Sequence, residues 1–203
     1  MTNTLPTNPF ETIPHELTLP RPEGKVIIDA LTSAEVEEWW PIYNEPFVEL
    51  NRTNPCRQNF NREEFEEAMH SPTMTKLAYI ENGEIMAMCL LSNDFDHFPW
   101  MSKDFYRDQY PEKFDQGDVY YFVSLLARND KRGMLYGSRV VKFITELFAL
   151  DEKEAIITFD CCDDNSPGLA NMIEFVVEKT EMGTLKLGEI GTQHYFAGQL
   201  KLN

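Results

Sequence analysis

The sequence predicts a mixed α/β (α+β) domain, with one mainly antiparallel central sheet and helices on both faces. Three observations carry this expectation. "TKLAYIENGEIMAMCLLSND" (75–94) sets Asn82-Gly83 between two apolar runs, the pattern of a type I′ hairpin. "DVYYFVSLLA" (118–127) and "EAIITFDCC" (154–162) are continuous apolar strands of the kind buried on both faces. The segments after them repeat apolar residues at helical spacing, and strand–helix–strand steps favour a parallel, right-handed crossover.

In chain order, residues 1–24 hold five of the twelve prolines and are expected to form an extended lead-in. The remainder, 25–203, reads as one domain. "KVIIDAL" (25–31) is a first strand. Thr32 with Glu35 forms a T-x-x-E capping box, so a helix begins at "AEVEEWWPIY". A second helix is expected over "NREEFEEAMH" (61–70), capped by Asn61. The hairpin follows. Residues 93–117 are aromatic-rich and irregular, with a short helix around 102–109, and could wall a pocket or form a packed excursion.

After the 118–127 strand, Val140, Val141, Ile144, Leu147 and Phe148 make one helical stripe. The 154–162 strand leads to a helix entered at Pro167, with Leu169, Met172, Ile173, Val176 and Val177 on one face. "TLKLGEIG" (184–191) and the segment from Thr192 onward are expected to close the sheet as two more strands.

Net charge is −16, from 34 acidic and 18 basic residues. Nucleic acid and anionic membranes are poor partners for such a surface, because polyphosphate binding requires neutralising cations. A cationic or amine-bearing substrate suits it. No apolar run reaches the roughly 18 residues that a membrane span needs, and no basic-then-apolar leader opens the chain, so the expected location is cytoplasmic. The four cysteines, Cys56, Cys89, Cys161 and Cys162, form no CxxC pair and read as reduced thiols. "DFDH" and "CCDD" lack ligand spacing, and no metal is expected.

The charge is unevenly spread. Arg128, Lys131, Arg132, Arg139 and Lys142 against Asp130 give a local +4, inside a chain whose remainder sums to −20. This island surrounds "KRGMLYGS" (131–138) at a strand-to-helix turn. Helix N-termini offer unpaired N–H groups and a positive dipole end, and glycine lets an anion approach the backbone. By residue chemistry alone, a pyrophosphate cradle and a charged surface turn are equally good readings.

"LLARNDKRGMLYGSRVVKF" (125–143) resembles the acyl-CoA-binding segment of the GNAT superfamily of N-acetyltransferases. There a strand ending in L-A-V-x-P-like sequence leads to R/Q-x-x-G-x-G/A and a helix. Leu125, Leu126 and Ala127 fall on the strand end, Asn129 on the usual proline, Arg132 on the leading Arg/Gln and Gly137 on the last Gly/Ala. Leu135 stands where the family has its middle glycine.

The resemblance, by order of elements, runs over about residues 25–203. It implies a splayed pair of central strands, 118–127 and 154–162, with the pantetheine of acetyl-CoA or another acyl-CoA in the cleft. Lys131, Arg132, Gly133, Met134, Leu135, Tyr136, Gly137 and Ser138 would hold the pyrophosphate. It implies direct acyl transfer to an amine of a small molecule or peptide, entering between the 32–70 helices and the 93–117 loop. The departure at Leu135 keeps open a phosphopantetheine arm on an acyl carrier protein as donor, or a non-catalytic binding domain. A homodimer is compatible with all three.

In the family a backbone N–H of the first splayed strand polarises the thioester carbonyl, here near Leu126. That strand carries no glutamate. Its polar members are Tyr120, Tyr121 and Ser124, and Tyr121 and Ser124 are the catalytic candidates there. His97 could titrate near neutrality, and His194 sits on an expected substrate-side strand. Asn165 resembles the asparagine often found after the second strand. The family's leaving-group tyrosine has no counterpart, because the aligned position is near Met172.

Overall fold

Two reciprocal caps fix where the first helices start. The Thr32 hydroxyl accepts from the Glu35 N–H (3.3 Å) while the Glu35 carboxylate accepts from the Thr32 N–H (2.8 Å). Asn61 and Glu64 repeat the pattern at 3.0 and 2.7 Å. Each box satisfies two helix-end donors that would otherwise lack partners. The computed structural model describes residues 16–17, 24–27, 30–54, 59–128, 132–152, 154–162, 166–194 and 199.

The elements are β1 (Glu16–Leu17), β2 (Gly24–Ile27), α1 (Ser33–Thr53), α2 (Arg62–His70), β3 (Thr75–Glu81) and β4 (Glu84–Ser92). A 3₁₀ turn at Phe95–His97 precedes α3 (Lys103–Gln109), α4 (Pro111–Gln116), β5 (Val119–Ala127), α5 (Gly133–Leu150), β6 (Ile156–Thr158) and α6 (Ser166–Thr180). The sheet runs β1-β2-β3-β4-β5-β6, antiparallel throughout except for the parallel β5–β6 pair. The mixed, mainly antiparallel sheet expected from the sequence is therefore the fold.

Asn82 (φ 55°) and Gly83 (φ 80°) both take the left-handed conformation that the tight β3–β4 turn demands. The sheet buries both faces. On one, α1 and α2 cover a core of Trp39, Tyr43, Phe65, Met88 and Tyr121. On the other, α5 packs Tyr136, Val140, Phe143 and Leu147 against Leu77, Tyr79 and Tyr120.

One expectation is extended and two are corrected. First, α1 starts after its expected cap Thr32 and runs 21 residues, through Pro41 and Pro46. An interior proline costs roughly 3 kcal/mol, and burial of Trp39 and Tyr43 on the sheet offsets it. Second, the strand expected over 154–162 is ordered as a strand only at Ile156–Thr158, where it pairs with β5.

Third, no strand forms over 183–194. There the Leu187 N–H donates to the Glu174 carboxylate of α6 (2.6 Å), and Lys186 lies 3.8 Å from the same side chain. Glycines at 183, 188 and 191 weaken a strand in this stretch, so a side chain of α6 captures the backbone instead of a sheet ladder. His194 is exposed in this segment, and residues 195–198 lie outside the described residues.

Candidate active site

The sheet opens where β5 and β6 part. Their pairing ends at Tyr121 with Thr158, whereas β5 stays paired with β4 as far as Ala127. This is the expected splay. Two residues past that point β5 carries a bulge: Leu90 faces Ser124 and Leu91 faces Phe122, which leaves Val123 as the extra residue. Bulges re-aim side chains and break strand pairing, and they concentrate beside active sites. Between the parting strands lies a cavity of about 550 Å³. Phe122–Leu125 form one wall, Phe159 and Asp160 the other, and α5 and α6 enclose it.

Two polar groups stand at the splayed end. Ser124 is 6% exposed, and its hydroxyl has no hydrogen-bond partner among the described residues. Buried polar atoms almost always have partners, so this hydroxyl is an exception beside the cavity that Ser124 helps to line. Opposite it, Asp160 follows β6. The fully buried Tyr121 donates its hydroxyl to the Asp160 carboxylate and accepts from the Trp100 indole N–H (3.1 Å).

Asp160 is exposed as a residue, but its carboxyl is drawn inward onto that hydroxyl. Partial burial raises its pKa, and the hydrogen bond from Tyr121 opposes the rise without cancelling it. Burial, and then the Asp160 charge, push the Tyr121 hydroxyl well above an ordinary tyrosine. A carboxylate with a raised pKa on a cavity wall has the properties of a general base.

The other candidates sort by position. Leu125 lines the cavity, whereas Leu126 and Ala127 continue β5 beyond it. His97 lies elsewhere, its Nε2 bridging Ser71 (3.1 Å) and Thr73 (2.8 Å) with Asp94 at 3.7 Å. Asn165 and Lys131 fall outside the described residues. Cys161 and Cys162 are half-buried after β6, and burial pushes the Cys89 thiol up. Among the described residues no three His, Cys, Asp or Glu converge as a metal site, and no helix is long and apolar enough to cross a membrane.

At the start of α5, Leu135 and Met134 point to solvent, 50% and 80% exposed. Tyr136 is buried, stacked on Tyr79 at 5.7 Å with the Arg132 guanidinium over it at 5.1 Å. Ser138 donates to the Leu135 carbonyl (2.7 Å). The positive island, read as isolated from the sequence, is tempered by acids the fold brings to it. Arg132 pairs with Glu81 (3.2 Å) and Arg128 with Glu84 (3.6 Å), both from the hairpin end, while Lys142 pairs with Glu146 (3.7 Å). Arg139 rests over Tyr79 at 5.9 Å.

Two glycines differ in kind. A Cβ at Gly133 would lie 2.8 Å from the Arg128 carbonyl oxygen. Gly133→Ala is therefore expected to cost about 1–3 kcal/mol through backbone displacement, read as a lower urea midpoint. A Cβ at Gly137 would meet nothing within 4 Å, although Gly137 itself is buried. It faces open space at an N-terminal turn that has neither a side-chain cap nor an acid.

No family model and no curated protein matches the chain. Solved structures do. An aminoglycoside acetyltransferase from an uncultured soil metagenomic sample, crystallised with sisomicin, aligns over 87% of this chain and 98% of its own at 8% identity and TM-score 0.48. A ribosomal-protein-alanine N-acetyltransferase from Brucella melitensis aligns over 86% and 99%, at 8% identity and 0.47. The aminoglycoside 6'-N-acetyltransferase from Enterococcus faecium aligns over 60% of this chain and 52% of its own, at 13% identity and 0.38. The chain thus spans about half the length of that last enzyme. These likenesses assign no substrate, donor or partner to this chain.

Proposed function

We propose that the protein is a GNAT-type N-acyltransferase that moves an acyl group from acyl-CoA directly onto an amine of a small molecule or peptide. The observation that carries this reading is the splay itself. A bulged β5 parts from β6 at a cavity of about 550 Å³, whose lining includes Ser124 and Asp160, the latter with a raised pKa. Bound acyl-CoA would supply the thioester carbon that the amine attacks.

The chain's own residues then have defined tasks. The uncapped start of α5 and the space at Gly137 receive the anionic end of the donor. The β5 edge freed beyond Tyr121 offers backbone groups to the acyl carbonyl. Asp160, ionised, draws an ammonium toward the cavity and takes its proton, so the neutral amine attacks. Tyr121 and Trp100 hold the carboxylate in place. The C–N bond forms as the C–S bond breaks, and the remaining excess proton on the new amide nitrogen passes to the departing thiolate, which leaves as free thiol. Asp160 returns its own proton to solvent.

Two measurements test this. Acetyl-CoA or a longer acyl-CoA is expected to raise the melting temperature, and an amine panel is expected to release free thiol. Gly137→Leu is expected to keep the apo melting temperature within a few degrees, because its space is open and leucine favours a helix over glycine. It should weaken acyl-CoA binding about tenfold or more. A wild type that binds no acyl-CoA and releases no thiol overturns the proposal. The exposed Met134 and Leu135 beside Arg132 favour a second donor, an acyl carrier protein seated on the same turn. Faster turnover with acyl carrier protein than with the matching acyl-CoA would select it.

A further inference from the structure

Resting on the acyl-transfer reading, we infer that the donor carries a medium-length alkyl chain, and that this chain lies between α5 and α6 in the cavity below the splay. Acetyl transfer needs room for one methyl group beyond the thioester. The cavity of about 550 Å³ runs past the splay along α5 from Val141 to Ala149, a span of about 12 Å at the helical rise. Ile144 and Phe148 line it from α5, and Leu169, Ile173 and Val177 from α6. Apolar cavities are poorly hydrated and take up apolar ligands.

The charges select among such ligands. Among the described residues, Asp160 and Glu154 line the cavity and no lysine, arginine or histidine does. A free fatty acid would bring its carboxylate to a lining whose described charged side chains, Glu154 and Asp160, are both acidic. A thioester is neutral and keeps its own anionic groups on the coenzyme, outside. Ser124 and Asp160 line the cavity from β5 and from the stretch just after β6, beyond the last β5–β6 pair, where a reacting carbonyl and an incoming amine would meet; α5 and α6 add the apolar lining. An alkyl chain with a neutral polar head at one end matches this arrangement.

The test is a chain-length series of acetyl-, butanoyl-, hexanoyl-, octanoyl- and decanoyl-CoA, measured by calorimetry on the wild type, with octanoate as control. Full burial of a methylene tightens binding about fourfold. Allowing for incomplete burial, octanoyl-CoA is expected to bind at least about thirtyfold tighter than acetyl-CoA, and octanoate not to bind. Ile173→Trp, which fills the cavity from α6, should cost octanoyl-CoA about tenfold and leave acetyl-CoA unchanged. If acetyl-CoA binds as tightly as octanoyl-CoA, this inference falls and acyl transfer stands. If no member binds, both fall. Octanoate binding as well as octanoyl-CoA would replace the thioester site with a fatty-acid site. The wild-type series decides even if the tryptophan variant fails to fold.

Discussion

Asp160→Asn is expected to lower kcat by about a hundredfold or more, the usual contribution of a positioned general base, while leaving the protein at least as stable as the wild type. The two halves of that result come from one shift. Burial raises the Asp160 pKa in the folded state, so the native protein holds the proton more tightly than the unfolded chain does. Below the unfolded pKa both states are protonated, and the group has no effect on stability. As pH rises through the unfolded and then the folded pKa, ionisation costs the native state stability, and above the folded pKa that cost is fully present. Asparagine removes the charge and keeps an oxygen for the Tyr121 hydroxyl.

A purely structural Asp160 would give a different pattern, with stability falling and activity following it. The pH profile separates the two further. Among the described residues, the groups that act on the carboxylate are the Tyr121 and Tyr106 hydroxyls, with the Trp100 indole on Tyr121, all neutral near pH 7. In the wild type, kcat/KM should therefore rise with pH through a pKa above that of an ordinary aspartate, and Asp160→Asn should lose that limb. An unchanged profile in the variant would remove Asp160 from the chemistry.

What the sequence disclosed follows the range of the interactions. Thr32 with Glu35, Asn61 with Glu64 and Asn82-Gly83 act within three or four residues, and each element starts or turns where those residues say. The 118–127 run reads as a buried strand because nearly every side chain in it is apolar. The splay came from the family resemblance, and the end of pairing at Tyr121 and Thr158 bears it out.

The site chemistry was less visible because its partners are distant in the chain. Tyr121 and Asp160 are 39 residues apart, and in the sequence Asp160 is only an acid following "IITF". Glu81 and Glu84 look like hairpin surface until the fold sets them beside Arg132 and Arg128. The bulge at Val123 leaves no mark in an unbroken apolar run, yet it sets which side chains reach the cavity. The final segment misled for the converse reason. Local alternation in "TLKL" suggested a strand, but the Glu174 side chain offered its backbone a nearer acceptor.

Tyr43→Ala is expected to cost about 3–5 kcal/mol, enough to lower the melting temperature of a domain this size by roughly 10 °C. Tyr43 is fully buried and sits in α1 between Pro41 and Pro46. Neither proline can donate a hydrogen bond to the preceding turn, so this stretch is held by packing more than by its own ladder. Its ring meets Phe65 at 4.7 Å, Phe47 at 5.1 Å, Trp40 at 6.1 Å and Phe60 at 6.2 Å, and its hydroxyl accepts the buried Phe60 N–H at 2.8 Å. Tyr43→Phe keeps the ring contacts and orphans that amide, so it should cost about 1–3 kcal/mol. The difference between the two variants measures the ring, and circular dichroism of Tyr43→Ala should show helix lost from the second half of α1. If alanine costs no more than phenylalanine, the aromatic cluster does not hold the helix across its two prolines, and local propensity must carry it.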